Sequence, residues 1–174
     1  MALVRILVDG YNLIHALSRQ ADSKDYSKCS LLHSWPELAA GAARHSEAAR
    51  DALAEMLTQY QDAVGTPVTI FFDGTGARRS KPKNRSAGAV EILFSNHGQT
   101  ADDLIERAAH RFQPYGEVLV VTDDFAERDT VSGFGGSVAS CANFILLIDQ
   151  ALGSLQEVLN RHNRAARNAF RRPQ

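Results

Sequence analysis

Apolar runs separated by polar stretches dominate the pattern of this chain, and three of the runs end on an aspartate. The runs and their final acids are residues 3–8 with Asp9, 68–72 with Asp73, and 118–122 with Asp123 and Asp124. Near-continuous β-branched and aromatic runs of this length are typical of strands buried on both faces, as in a parallel sheet. Residues 89–94 predict a further strand, and a short fifth strand is predicted at residues 137–139.

Helical spacing of apolar residues, at i, i+3, i+4 and i+7, occurs between these predicted strands. A short helix is expected over residues 13–17, and the polar residues 18–34 are interpreted as a loop or insertion. The longer predicted helices run from Ser46 to Gly65, begin at Thr100, begin at Phe125 and follow Ser140. Strands alternating with helices predict an α/β domain with a mainly parallel sheet of four to five strands and helices on both faces.

Size and composition fit a single domain with a real core, since the chain has 174 residues of which 44% are hydrophobic. The cysteines, Cys29 and Cys141, lie far apart and have no metal-ligand spacing, so ordinary reduced thiols are expected. No run approaches membrane-spanning length and the start carries no signal-peptide pattern. We therefore expect a cytoplasmic protein with no membrane partner.

The acids that end the strands predict a metal site. Because the carboxyl ends of parallel strands meet at one edge of a sheet, Asp9, Asp73 and the pair Asp123 and Asp124 should gather there. Clustered carboxylates repel one another unless a cation lies between them, and oxygen ligands favour Mg²⁺ or Mn²⁺. The Asp-Gly dipeptides at Asp9 and Asp73 are also common in turns, which leaves a structural role as the alternative for both acids.

The helix that begins after Thr100 carries two adjacent acids with different expected roles. Thr100 and Asp103 have the spacing of a capping box, which accounts for Asp103. Asp102 is not needed for the cap and is predicted to be a metal ligand. Asp123 and Asp124 should point to opposite sides of an extended strand, and their residues alone do not decide between them.

Hydrolysis of a phosphodiester is the chemistry that this pattern predicts. A divalent ion held by Asp9, Asp102 and one of Asp123 and Asp124 would lower the pKa of a bound water and neutralise charge on the phosphate. No protein nucleophile is indicated, because the chain lacks a Gly-x-Ser-x-Gly motif. A dehalogenase-type phosphatase is excluded as well, since Phe71 stands where its nucleophilic aspartate would be.

Basic residues that follow Asp73 predict a surface for a polyanion. Tyr11 is a candidate for base stacking, whereas Trp35 is expected in the core. The candidate RNA-binding residues of the loop are Arg78, Arg79, Lys81, Lys83 and Arg85.

Several sequence blocks, taken in order, resemble the YacP-like branch of the NYN nucleases, a group within the PIN-like superfamily of metal-dependent ribonucleases. The resemblance spans roughly residues 3–150. The blocks are residues 6–14, 35–38, 72–73, 90–94, 100–103 and 121–124.

This resemblance implies a PIN-like three-layer α/β/α sandwich and an endoribonuclease that uses Mg²⁺ or Mn²⁺. It implies a nuclease domain over residues 1–160, followed by a basic tail over 161–174. Expected partners are RNA, as mRNA or structured RNA, with the ribosome as an open possibility. The alternative is a non-catalytic RNA-binding or ribosome-associated module with the same fold.

Site residues carry over from the resemblance by position. Asp9 and Asp102 match metal-binding acids, and Asn12 matches the asparagine that supports the site. Asp124 matches the family acid after the fourth strand, while Asp123 departs from the usual Ser or Thr and stays the alternative ligand. The expected catalytic set is Asp9, Asn12, Asp102 and Asp124, and the expected supporting residues are Asp73, Asp103 and Thr100.

Overall fold

A parallel sheet forms the centre of the computed structural model. The structure describes residues 2–22, 30–39, 46–74, 88–96, 98–133 and 135–170, and of residues 30 and 165–170 only the backbone. The strands are β1 (Leu3–Asp9), β2 (Val68–Phe72), β3 (Glu91–Phe94), β4 (Glu117–Val121) and β5 (Ser137–Ala139), in the order β3-β2-β1-β4-β5. Every pairing is parallel, and β1 is central. The predicted α/β class is confirmed.

Helices cover both faces of this sheet, as predicted. The helices are α1 (Gly10–Ala21), α2 (Ser30–Ser34), α3 (Glu47–Val64), α4 (Ala101–Phe112), α5 (Phe125–Gly133) and α6 (Cys141–Phe170). The larger apolar cluster lies between the sheet and α1, α3 and α6, with Leu13, Leu53 and Phe144 fully buried. The smaller cluster lies on the opposite face, where Ile105 of α4 and Val131 of α5 pack against the sheet.

Side-chain hydrogen bonds cap the beginnings of α3 and α4, at the residues that the sequence predicted. The Ser46 hydroxyl accepts a hydrogen bond from the Ala49 N–H at 3.1 Å, and α3 ends at Gly65, whose φ of 73° favours glycine. At α4 both hydrogen bonds of the Thr100–Asp103 capping box are present, at 3.2 and 3.0 Å. The capping role predicted for Asp103 is confirmed.

Helical structure extends further than the polar sequence suggested. The first helix continues to Ala21, and residues 30–34 form a short helix that buries Leu31 and Leu32, so the loop interpretation of residues 18–34 is wrong over these parts. Residues 23–29 of that stretch lie outside the described residues. The helix after Ser140 runs to Phe170 and includes most of the stretch predicted as a basic tail.

Parallel register brings the strand ends to one edge, which we call the carboxyl edge. Asp9 pairs with Phe71 of β2, and Val8 pairs with Val121 of β4. Because each following helix runs back along the sheet, α1, α4 and α5 all begin at this edge. Trp35 is 8% exposed and belongs to the core, as expected. Among the helices that the structure describes, none has the length and apolar composition that a membrane span requires.

Candidate metal centre at the carboxyl edge

Asp9 lies at the end of the central strand and is held by the helix that it starts. Its carboxylate accepts hydrogen bonds from the Asn12 N–H at 3.0 Å and from the Asn12 side-chain amide at 2.6 Å. The following residue must be small, because a Cβ at Gly10 would overlap the Phe72 ring. Asp9 is only 7% exposed, so the sequence places an ionisable group inside the protein.

Asn12 also connects two strand ends. Its side-chain nitrogen donates to the Thr122 hydroxyl at 3.2 Å, directly after β4. Thr122 is fully buried, and its hydroxyl accepts a further hydrogen bond from the Asp124 N–H at 3.1 Å. The position of Asp9 is therefore fixed relative to both β1 and β4.

Asp102 reaches the same place from α4. Thr100 and Asp103 satisfy the first turn of that helix, which leaves the Asp102 carboxylate available for another role. One carboxylate oxygen from each of Asp9, Asp102 and Glu127 lies within 4.8 Å of the other two. We refer to these three residues as the carboxylate triad.

Glu127 completes the carboxylate triad from α5, a helix capped by Asp124. The Asp124 carboxylate accepts hydrogen bonds from the N–H groups of Ala126 at 2.8 Å and Glu127 at 3.4 Å. Glu127 is 5% exposed, and neither of its side-chain oxygens has a hydrogen-bond partner of good geometry among the described residues. A buried carboxylate without partners is costly and calls for a cation, a proton or water.

The electrostatics of the carboxylate triad follow from burial and mutual repulsion. The pKa of Asp9 is raised to about 6, mainly by burial and in smaller part by the charges of Asp102 and Asp73, against the opposing hydrogen bonds from Asn12. Burial also raises the pKa of Glu127 to about 7, although the nearby Thr122 hydroxyl lowers it in part. The pKa of Asp102 is raised by partial burial and then by Asp124, Asp73 and Asp103.

This arrangement suits a divalent cation. Three carboxylates that converge within 4.8 Å supply the hard oxygen ligands that Mg²⁺ and Mn²⁺ prefer. A cation between them would reverse the repulsion that raises their pKa values. The Glu127 oxygens support such a fit, because they have no hydrogen-bond partner of good geometry within the part of the chain that the structure describes.

Comparison with known proteins agrees with this fold. A sequence profile described as "YacP-like NYN domain" matches residues 6–173. The chain belongs to the YacP-like NYN domain family. The resemblance found in the sequence is thereby confirmed, and with it the PIN-like fold.

Relatives of this NYN domain come from Bacillus subtilis. The chain is 30% identical over 134 residues to "Uncharacterized protein YacP" of strain 168, covering 75% of this chain and 66% of that protein. The crystal structure of Rae1 (YacP) matches with a TM-score of 0.65 and 24% identity, over 98% of this chain and 88% of the other. A point mutant of Rae1 matches with a TM-score of 0.68 and 25% identity, over 92% and 84%.

The other predicted acids of this NYN domain occupy the surroundings of the carboxylate triad. Asp73 accepts a hydrogen bond from the Ala101 N–H at 2.7 Å, at the start of α4. Asp124 is exposed and caps α5. β4 ends at Val121, before both acids, and the two oxygens of Asp123 accept from the Cys141 N–H at 2.9 Å and the Arg19 guanidinium at 3.0 Å.

Glu127 was not identified from the sequence. It stands three residues after the capping Asp124, where an acid in a first helical turn is ordinary. The available signal was its position in the helix that directly follows an acidic strand end. Only the packing of α5 shows that this particular acid is buried.

The predicted RNA-binding residues are only partly described. Tyr11 lies next to Asp9, and its ring contacts Phe72 at a centroid distance of 4.9 Å. The Tyr11 hydroxyl accepts a hydrogen bond from Arg50 at 3.4 Å. The predicted basic loop, with Arg78, Arg79, Lys81, Lys83 and Arg85, lies outside the described residues.

Proposed function

We propose that this NYN domain is a metal-dependent endoribonuclease that hydrolyses RNA phosphodiester bonds at the carboxylate triad, with Mg²⁺ or Mn²⁺ as cofactor. The observation that carries the proposal is Glu127, a buried carboxylate that has no hydrogen-bond partner of good geometry among the described residues and lies beside two further carboxylates. Membership of the YacP-like NYN family supports it. The location supports it too, because ligands of parallel α/β folds bind at the carboxyl edge.

Asp9, Asp102 and Glu127 are the proposed ligands of the ion. When bound, a divalent ion supplies a water of lowered pKa and neutralises charge that develops on the phosphate. Asn12 keeps the Asp9 carboxylate oriented through its two hydrogen bonds. Thr100 and Asp103 fix the start of α4 and so direct Asp102 toward the edge.

The remaining acids have proposed roles around that centre. Asp124 stays a candidate ligand on the exposed side, since its charge already raises the pKa of Asp102. Asp73 adds negative charge near Asp9 and holds the first N–H of α4. Asp123 is bound to Arg19 and to the start of α6, so we assign it a structural role in place of metal binding.

Access to the site favours internal cleavage. Asp102 and Asp124 are exposed, so a phosphate on the outside of the sheet edge can reach the carboxylate triad. An open edge does not require a chain end to enter, which suits an endonuclease. The predicted basic loop over residues 74–88 remains a predicted RNA contact that follows Asp73 in sequence.

Cleavage assays on the full chain test this function. Single-stranded and structured RNA are incubated with Mn²⁺, Mg²⁺ or EDTA, using wild type, Asp9→Asn, Asp102→Asn and Glu127→Gln. We expect wild type to cleave RNA only when Mn²⁺ or Mg²⁺ is present. Each variant should cleave more than about 100-fold more slowly, a larger loss than the roughly 10–100-fold that is typical for residues that orient metal ligands. Asp129→Asn is the matched control, because Asp129 is an exposed acid of the same α5 helix.

Metal binding supplies a readout that does not depend on turnover. Mn²⁺ should raise the melting temperature of wild type and Asp129→Asn, but not of Glu127→Gln. RNA binding without metal-dependent cleavage would instead support a non-catalytic RNA-binding or ribosome-associated module. Unchanged cleavage in Asp9→Asn and Glu127→Gln would reject the assignment of the site.

A further inference from the structure

Two pairs of an aromatic ring and an arginine lie on opposite sides of the carboxylate triad. Phe94, at the end of the edge strand β3, has the Arg50 guanidinium 6.0 Å from its ring centroid. Phe125, directly after Asp124, has the Arg128 guanidinium 5.7 Å from its ring centroid. We call Phe94 with Arg50 the β3 flank and Phe125 with Arg128 the β4 flank.

Both rings are exposed to solvent, whereas other phenylalanine rings of the chain are buried in the core. Phe94 is 46% exposed and Phe125 is 77% exposed, against less than 2% for Phe71, Phe72 and Phe144. An exposed aromatic face beside a guanidinium presents apolar stacking area and positive charge together. Nucleobases stack on such faces while the arginine contacts the phosphate.

The β3 flank packs against Tyr11, which lies close to Asp9 in sequence. The Phe94 ring stacks on Phe72 at a centroid distance of 5.6 Å, and the Tyr11 ring meets the other end of this row. Tyr11 lies between Asp9 and Asn12 in sequence, and its hydroxyl accepts the hydrogen bond from Arg50. Packing through the buried Phe72 therefore connects the exposed Phe94 to Tyr11, two residues after Asp9.

The strand order sets the spacing of the two flanks. In the sheet β3-β2-β1-β4, the end of β1 with Asp9 lies between the end of β3 and the end of β4. The flanks lie on opposite faces of the sheet, since Phe94 packs on Phe72 beneath α3 and Phe125 belongs to α5. The ends of β3 and β4 are three strand intervals of about 4.8 Å apart, so an RNA strand that crosses the edge between the flanks covers at least about 14 Å. A few nucleotides of extended strand span this distance, with a middle phosphate over the carboxylate triad.

We propose that the β3 flank and the β4 flank stack nucleobases of a single-stranded RNA on either side of the phosphate that is cleaved. The inference rests on the proposed function for the position of that phosphate, and it names the substrate class as unpaired RNA. A duplex keeps its bases inside and offers no internal base face to either ring.

Binding measurements in EDTA test the flanks without cleavage. Fluorescence anisotropy compares Phe94→Leu and Phe125→Leu with wild type on a short single-stranded RNA, because leucine keeps apolar packing and removes the stacking face. We expect each variant to weaken binding about 5- to 100-fold. Tyr115→Leu is the control, since Tyr115 is a 78% exposed aromatic at the opposite edge of the sheet and should leave the affinity unchanged.

A fluorescent base gives a readout that a folding defect does not imitate. With 2-aminopurine placed at successive positions, bound wild type should quench it at particular nucleotides, and Phe94→Leu should restore fluorescence at one of them only. An abasic nucleotide at that position should weaken wild type and leave Phe94→Leu unaffected. Equal quenching and equal affinity in the leucine variants would overturn the proposal.

The arginines are tested through salt dependence. Arg50→Gln should reduce the slope of log affinity against log salt by about 0.7, the value for one phosphate contact on a single strand. Arg111→Gln is the control, because Arg111 is exposed in the last turn of α4, away from the carboxyl edge. If the flanks stack bases in EDTA but the protein cleaves no RNA in Mg²⁺ or Mn²⁺, the nuclease function is rejected and base stacking by the flanks is kept. If the protein cleaves RNA and neither flank affects binding, base stacking by the flanks alone is rejected.

Discussion

The side-chain amide of Asn12 donates to the Asp9 carboxylate at 2.6 Å and to the Thr122 hydroxyl at 3.2 Å. One residue in the first turn of α1 thus joins the ends of β1 and β4 beneath the proposed ion. The hydrogen bonds also favour the ionised form of Asp9, which is the form that binds a metal.

Asn12→Ala should therefore lower Mn²⁺ affinity about 10- to 100-fold, as found for residues that orient metal ligands. Isothermal titration calorimetry at pH 7.5 measures this directly. The matched control is Asn143→Ala, since Asn143 is exposed on α6. An Asn12→Ala variant that binds Mn²⁺ like wild type would show that Asn12 does not support the site.

Asp9→Asn should stabilise the metal-free protein while it removes activity. The ionised carboxylate is buried and its pKa is raised to about 6, so at pH 8 its charge opposes folding. Asparagine keeps the capping geometry without the charge. We expect the free energy of unfolding in EDTA to rise by about 1–3 kcal/mol, the range set by about 1.4 kcal/mol per pKa unit. Urea denaturation gives the value, and a decrease would contradict this account.

Stability of the metal-free chain should depend on pH in a direction opposite to that of most carboxylates. The pKa rises from 3.8 to about 6 at Asp9 and from 4.5 to about 7 at Glu127. The folded protein thus keeps these protons to higher pH than the unfolded chain does. Their stabilising contribution is present below about pH 4 and is lost as the pH rises through 6 to 7.

Urea denaturation at intervals from pH 5 to 8 in EDTA measures that loss. The decrease should be smaller in the double variant Asp9→Asn/Glu127→Gln, which cannot titrate at these positions. Saturating Mn²⁺ should oppose the decrease, because the ion binds the deprotonated carboxylates. A wild-type profile that matches the double variant would exclude these groups as the cause.

Asp123→Ala should reduce stability and leave the metal site intact. The substitution removes the acceptor of the buried Cys141 N–H, which costs about 1–3 kcal/mol. Arg19→Gln breaks only the ion pair at the surface and should cost less than about 1 kcal/mol. Chemical denaturation ranks the two, and calorimetry with Mn²⁺ checks the affinity. A large loss of affinity in Asp123→Ala would return Asp123 to the list of ligands.

Local signals account for what the sequence predicted correctly. Asp9 ends a run that can only be a buried strand, and Thr100 with Asp103 forms a cap whose spacing is visible in the residues. Each depends on neighbours within a few positions. Asp9 and the start of the Thr100 helix therefore lie at the sheet edge that the sequence predicted.

Tertiary contacts account for what the sequence did not predict. Glu127 and Asp129 are both acids of α5, but Glu127 lies on the side of the helix that is buried and Asp129 lies on the exposed side. Ser18 is polar but fully buried, so α1 continues where polarity suggested a loop. Residues 161–164 continue α6 although they are all exposed, so their charge did not reveal that the helix extends there.

The members of the carboxylate triad come from sequence positions 9, 102 and 127, on three separate elements. An ion bound to all three would act as a reversible cross-link between β1 and the two helices α4 and α5 that cover one face of the sheet. Unfolding that separates α4 or α5 from β1 would then have to release the ion first. Chelation would consequently speed the opening of the whole domain as well as stopping its chemistry, so resistance to proteolysis should follow the concentration of free metal.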